Sequence, residues 1–256
     1  MLIGLKIRRA YINILTFSNV FYLYGARFFV LPTEYLRLWN GAVFKVVNAN
    51  NNLGTVLEVF YLKEYRDVEE LKKISKPTLI DIGANIGTFT VWALKALDGA
   101  QIFSYEPESK NYELLVENIR LNGLTKQAKP FNHAVCGSAG ERSLAIAGES
   151  SGKNSMSVDV GTDVSETVSC VTLNSIFEDN HITKCDCLKV DCEGSEYELF
   201  YNASPSTLEK ISMIILEHHN VVGETAEELR QFLRSHGFVI EDSKQFASML
   251  TARKKY

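Results

Sequence analysis

Residues Thr78–Thr90 read T-L-I-D-I-G-A-N-I-G-T-F-T, and no other stretch restricts the fold as strongly. The largely apolar run Thr78–Ile82 has the character of a buried parallel strand. Gly83 and Gly87 permit a sharp bend and a close approach of backbone to a ligand. A helical pattern follows, roughly Ile86–Leu97, and its first free N–H groups point at that ligand. Asp81 stands at the C-terminal end of the strand. Strand, glycine turn and helix open an α/β sheet with a nucleotide site.

The turn narrows the choice of nucleotide. A dinucleotide fingerprint, G-x-G-x-x-G, is absent, and so is the lysine-bearing phosphate turn G-x-x-x-x-G-K-[ST]. The order here is Gly83-Ala84-Asn85-Ile86-Gly87, with an acid two residues ahead. A carboxylate repels phosphate and suits a cationic or zwitterionic ligand. S-adenosylmethionine fits, with an ammonium group, a sulfonium charge and no phosphate. The next strand, Gln101–Tyr105, ends in Glu106-Pro107, and an acid there can accept both ribose hydroxyls. NAD sites use the same device, so it is the acidic turn that separates the two.

Asp81–Gly87, Tyr105-Glu106-Pro107, Asn111 and Asn118 together resemble the FkbM family of S-adenosylmethionine-dependent methyltransferases. Leu188-Lys189-Val190-Asp191-Cys192-Glu193-Gly194-Ser195-Glu196 resembles that family's L-K-x-D-x-E-G-x-E block. Ile215-Leu216-Glu217-His218-His219 resembles its E-x-H block. The resemblance spans about Leu57 to Phe238. Ser109 and Asn174 depart from it, standing where a proline and an aspartate are common. The resemblance implies a class I methyltransferase, a Rossmann-like α/β fold whose mostly parallel sheet ends in an antiparallel hairpin. It also favours O-methylation of a hydroxyl on a sugar or small metabolite. The alternatives are a non-catalytic binding module for this cofactor or another nucleotide, and an NAD-dependent oxidoreductase.

The chain of 256 residues fits a methyltransferase domain over 66–256 with an extension over 1–65. The net charge of -4 gives no general attraction to nucleic acid or anionic membrane. Five scattered cysteines argue against a disulfide framework and for a reducing, cytoplasmic location. Cys185, Cys187 and Cys192 lack zinc-type spacing, and no metal is expected. Lys6, Arg8 and Arg9 precede the apolar-rich stretch Ala10–Leu31, but polar residues interrupt it. It is expected to form a helix packed on the domain, across a homodimer or on a membrane surface, without spanning a membrane. Asn48–Gly54, between the apolar runs Ala42–Val47 and Thr55–Phe60, predicts a hairpin turn.

From Pro77 strands are expected near Leu79–Ile82, Gln101–Tyr105, Ala128–Val135, Cys187–Asp191 and Met213–His218. Helices are expected near Ile86–Leu97, Lys110–Leu121, Ser195–Tyr201 and Ala226–His236. A terminal hairpin is expected from Gly237–Ile240 and Ser248–Thr251. Between His133 and Leu188 lies a long insert with few helical signals, and its part Gly148–Val164 suits a surface loop or substrate lid.

Ligands in open α/β sheets bind beyond the C-terminal strand ends. The expected cofactor residues are Asp81, Gly83, Ala84, Asn85, Gly87 and Thr88 at the turn, with Asp191 opposite. Glu106, Pro107 and Asn111 serve the ribose, and His133 and Ala134 edge the adenine. Asp191 and Glu193 share a face, as do Glu217 and His219. Methyl transfer to a hydroxyl is helped by a base, and His219 is the first candidate, oriented by Glu217. Asp191 and Glu193 are the second. The D-x-E and E-x-H pairs together are also suited to a divalent cation.

Overall fold

The computed structural model describes residues 16–18, 34–46, 49–146 and 165–255. Seven strands form the central sheet: β3 (Thr78–Ile82), β4 (Gln101–Tyr105), β5 (Ala128–Phe131), β9 (Cys187–Val190), β10 (Met213–Glu217), β11 (Phe238–Asp242) and β12 (Met249–Lys254). Their order is β11-β12-β10-β9-β3-β4-β5. All pairs from β10 to β5 are parallel, and β12 runs antiparallel to both neighbours. This is the mostly parallel sheet with a closing hairpin that the sequence predicts.

The strands are apolar on both faces because both faces are covered. Leu79 joins one hydrophobic cluster, with Ile102 and Ile215. Ile80 and Ile82 join the other, with Leu188 and Ile214. The helices α2 (Thr88–Ala96), α3 (Ser109–Leu121), α5 (Glu196–Tyr201) and α7 (Ala226–Ser235) follow strands as expected, and two short helices that were not expected, α4 (Leu173–Asp179) after the insert's last strand and α6 (Pro205–Glu209) directly after α5, join them. Pro130 lies in β5, an edge strand, where a missing N–H is tolerated.

Two sequence expectations are corrected. The asparagine–glycine cluster does not turn a hairpin: Ala49–Phe60 is one helix, α1. Leu53, Val56, Leu57 and Phe60 recur at helical spacing and pack on the core, which outweighs the cost of about 1 kcal/mol for Gly54 in a helix. The run near Ala42 instead forms β2 (Val43–Lys45), paired with β1 (Tyr35–Arg37). The predicted strand Ala128–Val135 divides at Asn132-His133. Its second half, β6 (Ala134–Cys136), joins β7 (Gly140–Ala145) and β8 (Ser165–Thr172) in a separate small sheet. Among its described residues the insert therefore holds three strands, β6, β7 and β8, and α4, while residues 147–164 lie outside the described set.

The N-terminal segment is built into the domain. Phe17, Leu36, Phe44, Val56 and Tyr65 share one cluster with Phe89 and Leu115. Asn118, wholly buried, accepts from Lys45 N at 2.6 Å and donates to Ile86 O at 2.8 Å, tying β2 to the glycine turn. Among the described residues no helix is long and apolar enough to cross a membrane. Apart from residues 16–18, the stretch Ala10–Leu31 lies outside the described residues.

Candidate active site

The strand order reverses between β3 and β9. The chain runs outward from β3 through β4 to β5, then returns to lay β9 and β10 on the other side. Such a switch point leaves a crevice at the strand ends. Here the crevice is closed backbone to backbone. Gly83 sits at φ +72°, and a Cβ on it would stand 1.7 Å from the Asp191 carbonyl oxygen. No other residue fits at this position. The Gly83 and Ala84 N–H groups both donate to the Tyr105 carbonyl at 3.0 Å, which fixes the turn to the end of β4.

One cavity lies on the β4 side of this contact. Glu106, Pro107, Asn111, His133 and Ala134 line it with Gly83, Asn85 and Asp191. Glu106 is buried, and its carboxylate accepts the Asn85 N–H at 2.7 Å and the Glu108 N–H at 3.0 Å. Burial pushes its carboxyl up to about 7, against the two N–H bonds that favour the ionised form. Asn111 donates to Glu108 at 2.6 Å. His133 Nδ1 is buried without a hydrogen-bond partner. No lysine or arginine stands among the described residues on this wall.

A second cavity, of about 520 Å³, continues from the first across Gly83, Asn85, Asp191 and Glu193. Ala84, Thr88, Lys189 and Glu217 also line it, with Thr55, Glu58, Glu64 and Tyr65 from the N-terminal segment. The Thr88 hydroxyl is buried and has no partner.

His219 stands beside both strand ends. Its Nδ1 lies 2.5 Å from Glu196 Oε1, and its backbone N–H donates to the same oxygen at 3.0 Å. Glu196 is fully buried and its other oxygen accepts the Gly194 N–H at 2.6 Å. The ring's Nε2 has no hydrogen bond and points among carboxylates: Glu193 at 3.3 Å, Asp191 at 3.9 Å and Glu217 at 4.0 Å. Burial opposes a charge on the ring, but the Glu196 hydrogen bond and the charges of Glu196, Glu193 and Asp191 outweigh it. They raise the ring to about 9. Asp191, Glu217 and His219 offer ligand atoms within 4.8 Å of one another, a set able to hold a divalent cation.

Three sequence expectations change at this point. Asp81 is on neither cavity wall. It is wholly buried, accepts from Thr90 at 2.7 Å and pairs with Lys189 at 3.2 Å. Gly87, at φ +87°, packs against Leu115, where a Cβ would come within 2.7 Å of Cδ1, and it does not face the cavities. Glu217 does not orient His219; Glu196 does. His219 lines neither cavity and meets the second one only through the carboxylates of Asp191, Glu193 and Glu217. The other expected residues, from Ala84 and Asn85 to Glu193 and Glu217, line one cavity or both.

Sequence reasoning assigned no role to Glu196 or Lys189. Lys189 is buried in β9, and its Nζ donates to the carbonyls of Gly83 at 2.6 Å and Ile82 at 3.2 Å. A lysine inside an otherwise apolar strand was the available signal, since such a group is buried only with partners. Glu196 gave a weaker one, a carboxylate one residue beyond a glycine-bearing turn.

Residues 81–240 match the methyltransferase FkbM domain. Methyltransferase sdnD of Sordaria araneosa is 25% identical over 215 residues, covering 71% of this chain and 83% of that protein. The 31-O-demethyl-FK506 methyltransferase FkbM of Streptomyces tacrolimicus is 26% identical over 235 residues, covering 81% and 89%. Hexuronic acid methyltransferase AglP of Haloferax volcanii is 25% identical over 181 residues, covering 67% and 70%. With its sheet order, its glycine turn locked against Asp191 and this match across most of the α/β domain, the chain belongs to the FkbM methyltransferase family.

Proposed function

We propose that the protein is an S-adenosylmethionine-dependent O-methyltransferase acting on a hydroxyl of a sugar or small metabolite. The observation that carries the cofactor assignment is Glu106, a buried carboxylate at the end of β4 in a cavity without lysine or arginine among its described residues. A phosphate would find no cation there, whereas a ribose diol finds an acceptor. Two buried polar atoms without partners, His133 Nδ1 and Thr88 Oγ1, lie where an adenine and a methionine end would meet them. When bound, S-adenosylmethionine supplies an electrophilic methyl group on a positively charged sulfur.

The residues divide the remaining work. Glu106 and Asn111 hold the ribose, with Pro107 and Ala134 beside it and His133 at the adenine edge. Asp191, Asn85 and the Gly83–Ala84 backbone receive the methionine end. The acceptor occupies the second cavity, where Asp191, Glu193 and Glu217 surround the open Nε2 of His219. His219, oriented through Nδ1 by Glu196, takes the hydroxyl proton at Nε2. A neutral hydroxyl is a poor nucleophile, so removing this proton as the new bond forms lowers the barrier. The names of two relatives, a 31-O-demethyl-FK506 methyltransferase and a hexuronic acid methyltransferase, agree with an oxygen acceptor.

Calorimetry with S-adenosylhomocysteine and with NAD tests the cofactor. The first is expected to bind and the second not; NAD binding with no response to S-adenosylhomocysteine overturns the proposal. Glu106→Ala is expected to weaken S-adenosylhomocysteine by about 1.5–3 kcal/mol, the range for hydrogen bonds to a charged group. Because the Glu106 carboxyl titrates at about 7, affinity should fall as the pH drops through that value and the acceptor is protonated. A wild-type affinity that does not vary with pH removes Glu106 from the ribose.

A further inference from the structure

The first cavity opens where two strands of the central sheet diverge. β4 and β5 run side by side as far as Tyr105 and Phe131, and the Glu106 N–H still donates to the Phe131 carbonyl at 3.1 Å. Beyond that rung β5 ends, and the next strand, β6, belongs to the small sheet. Pro107 has no N–H with which to extend β4. The divergence takes from the Glu106 and Pro107 carbonyls the strand partner that a continued ladder would supply, and such groups are costly to bury unpaired. Asn132 fills the gap. Its Nδ2 donates to the Glu106 carbonyl and to the Pro107 carbonyl, each at 2.9 Å. Asn132 lines neither cavity, but what it joins does. Glu106 and Pro107 form one side of the first cavity, and His133 and Ala134, which follow Asn132 in the chain, also line it.

We infer that Asn132 is a positioning residue for the cofactor: its amide stands in for the missing rung of the sheet and sets the span between the ribose acceptor, Glu106, and the adenine edge, His133. The inference rests on the proposed cofactor reading and extends it to a residue that meets no part of the ligand. Glu106 is held at every polar group. Phe131 takes its N–H, Asn132 its carbonyl, and the Asn85 and Glu108 N–H groups its carboxylate. Remove the Asn132 amide, and the Glu106–Pro107 backbone loses its tie to the segment that carries His133. The two groups then drift relative to each other, and a ligand that needs both must restore their spacing as it binds. That ordering cost comes out of its affinity.

The test is calorimetry with S-adenosylhomocysteine on the full chain, at a temperature where circular dichroism shows each variant folded. It compares wild type, Asn132→Ala, Asn132→Ser, Glu106→Ala and the double variant Glu106→Ala/Asn132→Ala. Asn132→Ala should bind about tenfold more weakly or worse, the scale of two lost hydrogen bonds. Asn132→Ser keeps one hydroxyl donor and should lie between it and wild type. Two readouts separate positioning from a general loosening of the fold. The double variant should bind within about twofold of Glu106→Ala, because residues that act through one another are not additive. The fall in affinity as the pH drops through about 7, which Glu106 gives the wild type, should flatten in Asn132→Ala, since a displaced carboxylate no longer answers the ligand. Glu108 and Lys189, the other charges acting on that carboxyl, are unchanged in the variant. Unchanged affinity in Asn132→Ala overturns the inference. So do additive losses, a weaker affinity with an unaltered pH profile, or variants that do not fold, which make Asn132 a residue of the fold alone. If wild type does not bind S-adenosylhomocysteine, the cofactor reading fails first. If it binds, Glu106→Ala weakens it and the Asn132 variants do not, only this inference fails.

Discussion

His219→Ala is expected to lower turnover by about 10²–10⁴-fold, the usual contribution of general acid–base catalysis, while cofactor affinity stays nearly intact. The expectation follows from how the ring is held. Glu196 accepts at Nδ1, so a neutral ring has its lone pair on Nε2, the atom facing the second cavity's carboxylates. An ordinary histidine would already be largely neutral at pH 7. This one faces Asp191, Glu193, Glu196 and Glu217, and its pKa is raised to about 9. The sign of the pH dependence follows. Below that pKa the ring is protonated and cannot accept the hydroxyl proton, so turnover should climb about tenfold per pH unit and level off once the ring is neutral. The positive charge of the bound cofactor draws the plateau to lower pH. Glu196→Gln should shift the rise further down in pH, because it removes the charge that stabilises the imidazolium, and should lower the plateau by loosening the ring. Single-turnover methyl transfer on a confirmed acceptor reads all of this. Unchanged turnover in His219→Ala, with Asp191→Asn inactive, moves the base to the carboxylates after β9. Loss in both variants that added divalent metal restores makes the cluster a metal site.

How much of this was legible in the sequence depended on how local the information was. The turn at Gly83 was readable because one short segment holds the strand, the bend and the helix start, and Glu106 because it ends a strand of clear pattern. The parallel sheet covered by helices on both faces followed from the alternation of strand and helix. The hairpin at the asparagine cluster failed because turn residues were weighed above the period of Leu53, Val56, Leu57 and Phe60. The small sheet failed because β8, S-E-T-V-S-C-V-T, alternates small polar residues with Val168 and Cys170, a weak signal for two buried positions. Site residues that act across the fold were the least visible. Glu196 reaches His219 from 23 positions away, and Glu64 reaches the second cavity from a segment assigned to packing alone. Their spacing carries no periodic trace, because it is set by which strands become neighbours.

Lys189→Met is expected to destabilise the protein by about 3–5 kcal/mol, the cost of breaking a buried ion pair by removing one partner. The methionine fills a similar volume, so the loss is not one of packing. It comes from Asp81, which is wholly buried and keeps only the Thr90 hydroxyl when the ammonium is gone. Burial disfavours the charge on Lys189, yet Asp81 and Asp191 together raise its pKa, so the ammonium keeps its charge in the fold. Two consequences distinguish this from a general core defect. Asp81→Asn should recover much of the loss when combined with Lys189→Met, because a neutral pair leaves no buried charge uncompensated. The Lys189→Met variant should also bind S-adenosylhomocysteine more weakly, since the Gly83 carbonyl and the Asp191 carboxylate lose the group that lies beneath both. Urea unfolding of the two single variants and the double variant, with calorimetry on each, measures both effects. A Lys189→Met protein within about 1 kcal/mol of the parent would mean that Asp81 takes up a proton at little cost. The ion pair would then not be what holds the turn against β9, and that task would fall to the Gly83–Asp191 backbone contact alone.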